Sequence, residues 1–300
     1  MKKRMRRIIV PMLAMTLLAG CVPDKFQFTG EIGKAGSGRG DLLSATDMGL
    51  SPDGDLVVSD AGNNRVQVLT PDGTCKLALG EYGTTGFKLS GMSGCGVNPL
   101  TGDIWVCDLR GNKLVKFNKT GAPQLKVIDK MKYPVDVAVD RQGSIYVLMS
   151  KQAAIYKYDG FGAFQGMIGG TGKTALVFAT SIVIKNDAMY VADYGGRRVL
   201  KMDLKGGLIQ EFNKKGDYEE MKGPSSLFVD EAGNLLVLDL GDVPVVVLAP
   251  DGQLISKIGT FGSEKGQFLY PRGIVSKSAG EISVLDNSRN CILSFKRAAQ

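Results

Sequence analysis

The sequence predicts an all-β fold, a six-bladed β-propeller whose blades are four-stranded antiparallel sheets. A block of two short β-prone runs around a tight turn, an aspartate, a polar turn and a third run recurs six times. The recurring position is spaced by 41 to 48 residues, and a period in that range with about four strands per unit is typical of propellers. The position is occupied by Asp60, Asp108, Met149, Asp193, Asp239 and Asp286.

The individual strands follow from short apolar or alternating runs between turn residues. The first copy predicts strands at 46–50, 56–59, 65–69 and 75–79, because Pro52-Asp53-Gly54 and Pro71-Asp72-Gly73 favour tight turns between them. The next four copies predict four strands each, beginning near residues 93, 134, 181 and 226. The sixth predicts only three, at 273–276, 282–285 and 291–295, before the chain ends.

The missing strand of the sixth blade is expected at the other end of the chain. Residues 25–32 precede the first copy, are strand-like through Phe26, Phe28 and Ile32, and lead into a glycine-rich run. We therefore expect this N-terminal strand to complete blade six, which closes the ring and leaves no long open edge.

Residues 1–20 have the features of a cleaved signal peptide rather than of the fold. Five basic residues precede a short apolar stretch that ends in Leu18-Ala19-Gly20-Cys21, and this stretch is too short for a permanent membrane span. The tetrapeptide resembles the lipobox of bacterial lipoproteins. That resemblance implies cleavage before Cys21, lipidation of Cys21 and one propeller domain over residues 21–300. The alternative is an ordinary secretory signal with a chance cysteine.

The resemblance also implies an address in the bacterial cell envelope. Val22 follows the lipidated cysteine, and under enterobacterial-type sorting a residue other than aspartate there favours the outer membrane. We expect contact with the membrane through the lipid anchor only, because two or three acyl chains anchor stably.

The net charge of +7 comes largely from the signal peptide. The whole chain has 37 basic and 30 acidic residues. Without the five basic residues of positions 1–20, 32 basic residues face 30 acidic ones, which leaves +2. A nucleic-acid-binding protein needs a concentrated basic surface, so we expect no nucleic-acid partner.

Three segments resemble the NHL repeat. They are Asp60-Ala61-Gly62-Asn63-Asn64-Arg65-Val66-Gln67-Val68, Asp193-Tyr194-Gly195-Gly196-Arg197-Arg198-Val199 and Pro271-Arg272-Gly273-Ile274. The resemblance implies a six-bladed propeller, and NHL proteins are mostly interaction platforms, with a few enzymes among their relatives. Those relatives include lyases that depend on histidine, and this chain contains no histidine. Calcium-dependent lactonase propellers usually carry an early Glu-Gly-Pro, which is also absent.

The repeated aspartate is followed five residues later by a basic residue in three blades. These pairs are Asp60 with Arg65, Asp108 with Lys113, and Asp193 with Arg198. Since they flank the turn between the second and third strands, we expect structural ion pairs within each blade. The other three blades lack the basic partner.

Four cysteines besides Cys21 remain, and two of them lie on neighbouring strands. Cys95 and Cys107 are almost equidistant from the turn near Thr101. The sequence leaves two alternatives open, a cross-strand disulfide, which an exported protein permits, or two small buried side chains. The cysteines lack close metal-ligand spacing, and we expect no metal site and no cofactor.

The connections between blades are mostly longer than the other turns, and they predict where binding occurs. They emerge on the same face as the turns between second and third strands, and long loops on a rigid scaffold usually carry binding. Aromatic and basic side chains, which are preferred anchors, concentrate there. The candidate binding residues are Tyr82, Phe87, Arg110, Lys151, Tyr194, Arg197, Tyr218, Tyr270, Arg272 and Arg289.

We therefore expect a lipid-anchored platform that binds an envelope protein or glycan without catalysis, and we assign no catalytic residue. The alternative is a carboxylate- or calcium-dependent hydrolase or lactonase at the central channel. Its main acidic candidate is Asp136 in the first strand of blade three, with Asp47 of blade one nearby.

Overall fold

The computed structural model describes residues 26–80, 88–128, 131–169, 171–213, 221–278 and 280–298. Within them, 24 strands form six separate four-stranded sheets. Every pair of neighbouring strands within a sheet is antiparallel. The protein is a six-bladed β-propeller, as the repeat period predicts.

The strands follow the sequence in chain order, with β1 (Phe26–Ile32) ahead of the first full blade. Blade one comprises β2 (Asp47–Leu50), β3 (Leu56–Asp60), β4 (Arg65–Leu69) and β5 (Cys75–Leu79). Blade two comprises β6 (Met92–Val97), β7 (Ile104–Asp108), β8 (Lys113–Phe117) and β9 (Pro123–Ile128). Blade three comprises β10 (Pro134–Val139), β11 (Ile145–Met149), β12 (Ala154–Tyr158) and β13 (Phe164–Ile168).

The remaining blades repeat the pattern. Blade four comprises β14 (Ala179–Lys185), β15 (Ala188–Asp193), β16 (Arg198–Asp203) and β17 (Leu208–Phe212). Blade five comprises β18 (Pro224–Val229), β19 (Leu235–Asp239), β20 (Val245–Leu248) and β21 (Leu254–Ile258). Blade six comprises β22 (Pro271–Ser278), β23 (Glu281–Asp286) and β24 (Cys291–Arg297), together with β1. Two short 3₁₀ turns occur at Ala61–Asn63 and Gly172–Thr174.

Strand β1 is the outer strand of the sixth sheet. It pairs antiparallel with β24, from Phe26 opposite Arg297 to Ile32 opposite Ile292, and the strand order is β1-β24-β23-β22. The innermost strands of successive blades contact one another around the ring, including β22 with β2. The two ends of the chain therefore meet in one sheet.

Apolar side chains fill every interface between neighbouring blades. Between blades one and two, for example, Val57 and Leu79 pack in one cluster with Ile104 and Val106, and each of the other five interfaces has its own cluster. The second strand of each blade is therefore buried on both faces almost throughout, which explains its mostly apolar sequence, whereas outer strands such as β13 and β17 are largely exposed.

Glycines in the inner strand of blade two let blades two and three approach closely. A Cβ placed on Gly96 would lie 2.2 Å from the carbonyl oxygen of Val137, and one on Gly94 would lie 2.5 Å from Oδ1 of Asp136. No helix among the described residues has the length and apolar character required to cross a bilayer.

Candidate functional site

The propeller has two faces, which the strand directions define. Each inner strand begins at the connection from the preceding blade and ends at the turn to the second strand. We call the face with the between-blade connections and the second-to-third strand turns the loop face. We call the opposite face, with the first-to-second strand turns, the turn face.

The repeated aspartate holds the backbone of the connection that enters its own blade. Asp239 accepts hydrogen bonds from the N–H groups of Lys222 and Gly223, at 3.1 and 2.6 Å to Oδ1. In the same way, Asp286 accepts from the N–H groups of Leu269 and Tyr270. The other aspartates make the same bonds to Leu43, Ser90, Val177 and Phe178.

The basic residues five positions on contact the same carboxylates. Arg65 Nε lies 2.8 Å from Asp60 Oδ2, Arg198 Nε lies 3.1 Å from Asp193 Oδ2, and Lys113 Nζ lies 3.7 Å from Asp108 Oδ2. All three carboxylates are fully buried. The ion pairs are thus added to a carboxylate that already binds backbone N–H groups.

Apolar and aromatic side chains are exposed mainly on the loop face. Of the fourteen large hydrophobic side chains exposed among the described residues, eight lie there. We call these eight the collar, and they are Leu43, Tyr133, Val177, Phe178, Tyr194, Phe261, Leu269 and Tyr270. Most lie three or four residues before the first-strand position that Asp47 occupies in blade one and Asp136 in blade three. They are at or beside the N–H groups that the repeated aspartates bind.

Several residues predicted to bind from the loop face are paired with collar members. Tyr194 makes an edge-on contact with Phe178, with ring centroids 6.1 Å apart. Lys151 Nζ lies 3.5 Å from the ring centroid of Tyr133. Arg272 donates to the hydroxyl of Tyr270 at 3.3 Å.

Other predicted residues support the loops instead. Arg289 donates from Nη2 to the carbonyl oxygens of Gly262 and Glu264. Arg110 covers Gly91, where an added Cβ would lie 2.6 Å from Arg110 Cγ. Arg197 lies in the turn after Tyr194 with a φ of 53°. Tyr82, Phe87, Tyr218 and the lipidation candidate Cys21 lie outside the described residues.

Two aspartates occupy equivalent positions on the wall of the central channel. Asp47 Oδ2 accepts the N–H of Cys95, and Asp136 Oδ2 accepts the N–H of Ile182, both at 2.8 Å. In each case the donor belongs to the inner strand of the next blade, whose channel-side edge has no neighbouring strand. The carboxyls therefore satisfy edge N–H groups that strand pairing leaves open.

Burial raises the pKa values of both channel aspartates. Desolvation raises the pKa of Asp47 to about 6, although the N–H groups of Cys95 and Met48 and the charge of Arg272 oppose the shift. Desolvation also raises the pKa of Asp136 well above its ordinary value of 3.8, and the negative charge of Asp47 adds to the shift. The two carboxyls disfavour each other's ionisation, since like charges held in a desolvated channel repel.

The cysteines on neighbouring strands are not bonded, so the disulfide alternative is wrong. Cys95 and Cys107 are both free and buried. Cys95 lies opposite Val106 rather than Cys107, because the register that starts from the turn pairs Val97 with Ile104 and Gly96 with Trp105. Cys95 packs between blades one and two and Cys107 between blades two and three, so their side chains point to opposite faces of the sheet.

A cavity of about 450 Å³ lies in the channel and opens on the turn face. Asp47 and Asp136 lie at its inner end, and its outer end is lined by Arg141, Lys185, Glu231 and Lys277. No collar residue lines it. The sequence placed Asp47 and Asp136 at the central channel, but loop length favoured the opposite face as the binding site. In the part of the chain that the structure describes, no group of three or more histidine, cysteine, aspartate or glutamate side chains is arranged to hold a metal ion.

These features define a six-bladed propeller with an aromatic loop face and a channel that opens on the other side. The family model of the NHL repeat matches residues 42–69, which extend from the end of the first connection through β4. No curated protein matches the chain significantly.

Solved structures share the fold at low identity. Virginiamycin B lyase from Staphylococcus aureus aligns at 15% identity and a TM-score of 0.62, covering 91% of this chain and 100% of the lyase. A gluconolactonase from Xanthomonas campestris aligns at 16% and 0.65, covering 92% and 97%. A protein of unknown function from Bacteroides thetaiotaomicron aligns at 14% and 0.66, covering 89% and 72%. At such identities the likeness shows the fold alone.

Proposed function

We propose that this protein is a lipid-anchored platform of the bacterial envelope. Its loop face binds a protein partner, and the protein does not act as a catalyst. The observation that carries the proposal is the collar, which concentrates eight exposed hydrophobic side chains on one face. Exposed apolar and aromatic side chains clustered on one face are typical of interaction surfaces. Lipidation at Cys21, and an address at the outer membrane, rest on the sequence pattern of residues 1–22.

The composition of the collar favours a protein over a glycan. Sugar rings stack on flat aromatic faces, yet the collar includes the aliphatic side chains Leu43, Val177 and Leu269, which are 40–64% exposed. The aromatic members Phe178 and Tyr194 contact each other edge-on. Lys151 and Arg272 lie beside Tyr133 and Tyr270, so the aromatic anchors are flanked by positive charge that suits an acidic protein surface.

Site-specific photo-cross-linking in intact cells tests the proposal. A photoreactive phenylalanine analogue replaces Phe178 on the loop face, and in a matched control it replaces Phe161, an 83% exposed side chain in the turn between β12 and β13. We expect Phe178 to give one discrete protein adduct that Phe161 does not give. The adduct should disappear when Tyr194→Ser and Tyr270→Ser are added.

Two results would contradict the platform. One is equal labelling at both positions, which indicates random encounters. The other is an adduct whose added mass is removed by glycosidase treatment, which indicates a glycan instead of a protein.

The alternative of a carboxylate hydrolase or lactonase draws on one observation, the pair of channel aspartates with raised pKa values. A carboxylic acid of raised pKa is suited to donate a proton. However, both carboxyls already accept backbone N–H groups. Lactone hydrolysis that disappears in Asp136→Asn, with the fold intact, would favour the enzyme over the platform.

A further inference from the structure

The cavity on the turn face has the dimensions and lining of a small-molecule site. Its volume of about 450 Å³ falls in the usual range for ligand pockets. Its walls are apolar side chains of the inner strands, such as Leu50, Val97 and Ile184, and its outer end has four charged residues. A ring of equivalent first-strand positions separates the cavity from the collar. These positions are Asp47, Gly94, Asp136, Ser181, Ser226 and Gly273.

The basic residues at the mouth depart from the repeat. The position considered is four residues after the ring position, just before the turn between the first and second strands. In four blades the side chain at this position accepts a hydrogen bond from a backbone N–H of that turn. These side chains are Ser51, Asn98, Asp140 and Asp230. In blades four and six the same position is Lys185 and Lys277.

Lysine cannot accept such a bond, and the turns of these two blades are built without it. In blade four, Lys185 pairs with Ala188 across a two-residue turn in which Asn186 and Asp187 have φ values of 51° and 55°. In blade six, β22 continues to Ser278, which pairs with Glu281. Neither turn depends on its lysine ammonium group, and both lysine side chains line the cavity.

The charge at the mouth is incompletely compensated. Lys185 Nζ lies 2.6 Å from Oε1 of Glu231. Lys277 and Arg141 make no ion pair within 4.0 Å among the described residues. Desolvation lowers the pKa of Lys277, although Glu281 and Asp55 oppose the shift. The lining thus places two cations that lack a direct ion pair among the described residues at the open end of the cavity.

We propose that this cavity is a second binding site, independent of the loop face, for a small organic anion with an apolar body. The apolar body lies against the inner strands. The anionic group lies at the mouth, where Lys277 and Arg141 bind it. Charge-assisted hydrogen bonds of this kind are about twice as strong as neutral ones, so they favour an anion over an uncharged molecule of the same shape.

Fluorescence titration of the folded protein with two probes tests the site. Anilinonaphthalene sulfonate supplies an apolar body with an anionic group, and N-phenylnaphthylamine supplies the same body without it. We expect one sulfonate probe per chain. The double variant Arg141→Gln/Lys277→Gln should weaken the sulfonate about tenfold, which corresponds to about 1.4 kcal/mol. The affinity for the uncharged probe should stay unchanged.

A second variant tests the location without changing charge. Gly49 lines the cavity, and a Cβ added there would meet only ordinary contacts, with the nearest atom 3.6 Å away on Val97. Gly49→Leu should therefore fill the cavity and weaken both probes. Lys119→Gln, in the turn between β8 and β9, and Phe178→Ser, on the loop face, are the controls and should change neither affinity.

The proposal is overturned if the double variant binds the sulfonate as tightly as the wild type. It is also overturned if Phe178→Ser removes the binding, because the probe would then occupy the collar. If Gly49→Leu fails to fold, the charge variants and the paired probes still decide the question.

Discussion

At the scale of single residues, the repeated aspartate acts mainly through backbone N–H groups. The sequence indicates a basic partner in only three blades, whereas the structure shows five aspartates bonded to the connection that enters the blade. Blades five and six, without the basic partner, retain those bonds at Asp239 and Asp286. In blade three, Met149 replaces the aspartate, and there the N–H of Ser150 donates to the carbonyl oxygen of Tyr133.

This difference predicts unequal costs for removing the two kinds of partner. Asp239→Ala leaves the N–H groups of Lys222 and Gly223 without their acceptor, and should lower the free energy of unfolding by about 2–3 kcal/mol. Lys113→Ala removes a partly exposed ammonium 3.7 Å from Asp108, and should cost less than about 1 kcal/mol. Urea unfolding of both variants measures the difference. Equal losses would show that the ion pair contributes as much as the backbone bonds.

At the scale of elements, β1 is the strand on which closure of the ring depends. It covers the outer edge of β24, and Phe28 contacts Phe295 edge-on with ring centroids 5.8 Å apart. Phe26 and Phe28 pack against the cluster between blades five and six. Without β1, blade six would have three strands and an open edge.

Removal of Phe26–Ile32 should therefore destabilise the whole domain instead of one blade. We expect a fall in the melting temperature of at least about 10 °C, or loss of cooperative unfolding, because an entire outer strand and its apolar contacts are lost. The matched control removes residues 22–25 and keeps the strand. Thermal unfolding of the strand deletion that matched this control would contradict the role of β1.

The strands were predictable because each one depends on its local sequence. The cavity depends on side chains that come together from strands distant in the sequence. The expected strand at 25–32 is β1 (Phe26–Ile32), and the expected strand at 56–59 is β3 (Leu56–Asp60). The disulfide that did not form shows the limit, since a difference of one residue in the hairpin register places Cys95 opposite Val106 instead of Cys107. Asp47 and Asp136 were expected at the channel, whereas the basic mouth of the cavity was not, because the lining comes from six inner strands. Aligning the copies would have revealed Lys185 and Lys277 at the turn-fixing position.

At the scale of the whole molecule, one ring of residues divides the channel between two different surfaces. The equivalent positions are Asp47, Gly94, Asp136, Ser181, Ser226 and Gly273, by their register with the second strands. The collar lies on one side of this ring and the cavity with its basic mouth on the other. A partner on the loop face and an anion in the cavity would therefore occupy the same axis without contact.

The two carboxyls of this ring make the stability of the propeller depend on pH. Their pKa values are higher in the folded protein than the ordinary value of 3.8, so the folded state binds more protons than the unfolded chain above about pH 4. The free energy of unfolding must then fall as pH rises through this range, by up to about 1.4 kcal/mol per pH unit for each group. The fall due to Asp47 ends near pH 6, and burial of Asp136 adds a fall of the same sign.

Asp136→Asn isolates this contribution from the other titrating groups. The amide has no charge to bury, and its oxygen can still accept the N–H of Ile182. Between pH 4 and pH 8 we expect the free energy of unfolding to fall less in the variant than in the wild type. The stability of the variant relative to the wild type should therefore increase as pH rises. Exposed Asp72, whose pKa is lowered by the hydroxyl of Thr70, supplies the control. Because a lowered pKa affects stability only below about pH 4, Asp72→Asn should leave the slope between pH 4 and pH 8 unchanged. Denaturant unfolding at several pH values measures all three proteins. Parallel curves for Asp136→Asn and the wild type would mean that the channel carboxyls titrate alike in the folded and unfolded chains, which their burial argues against.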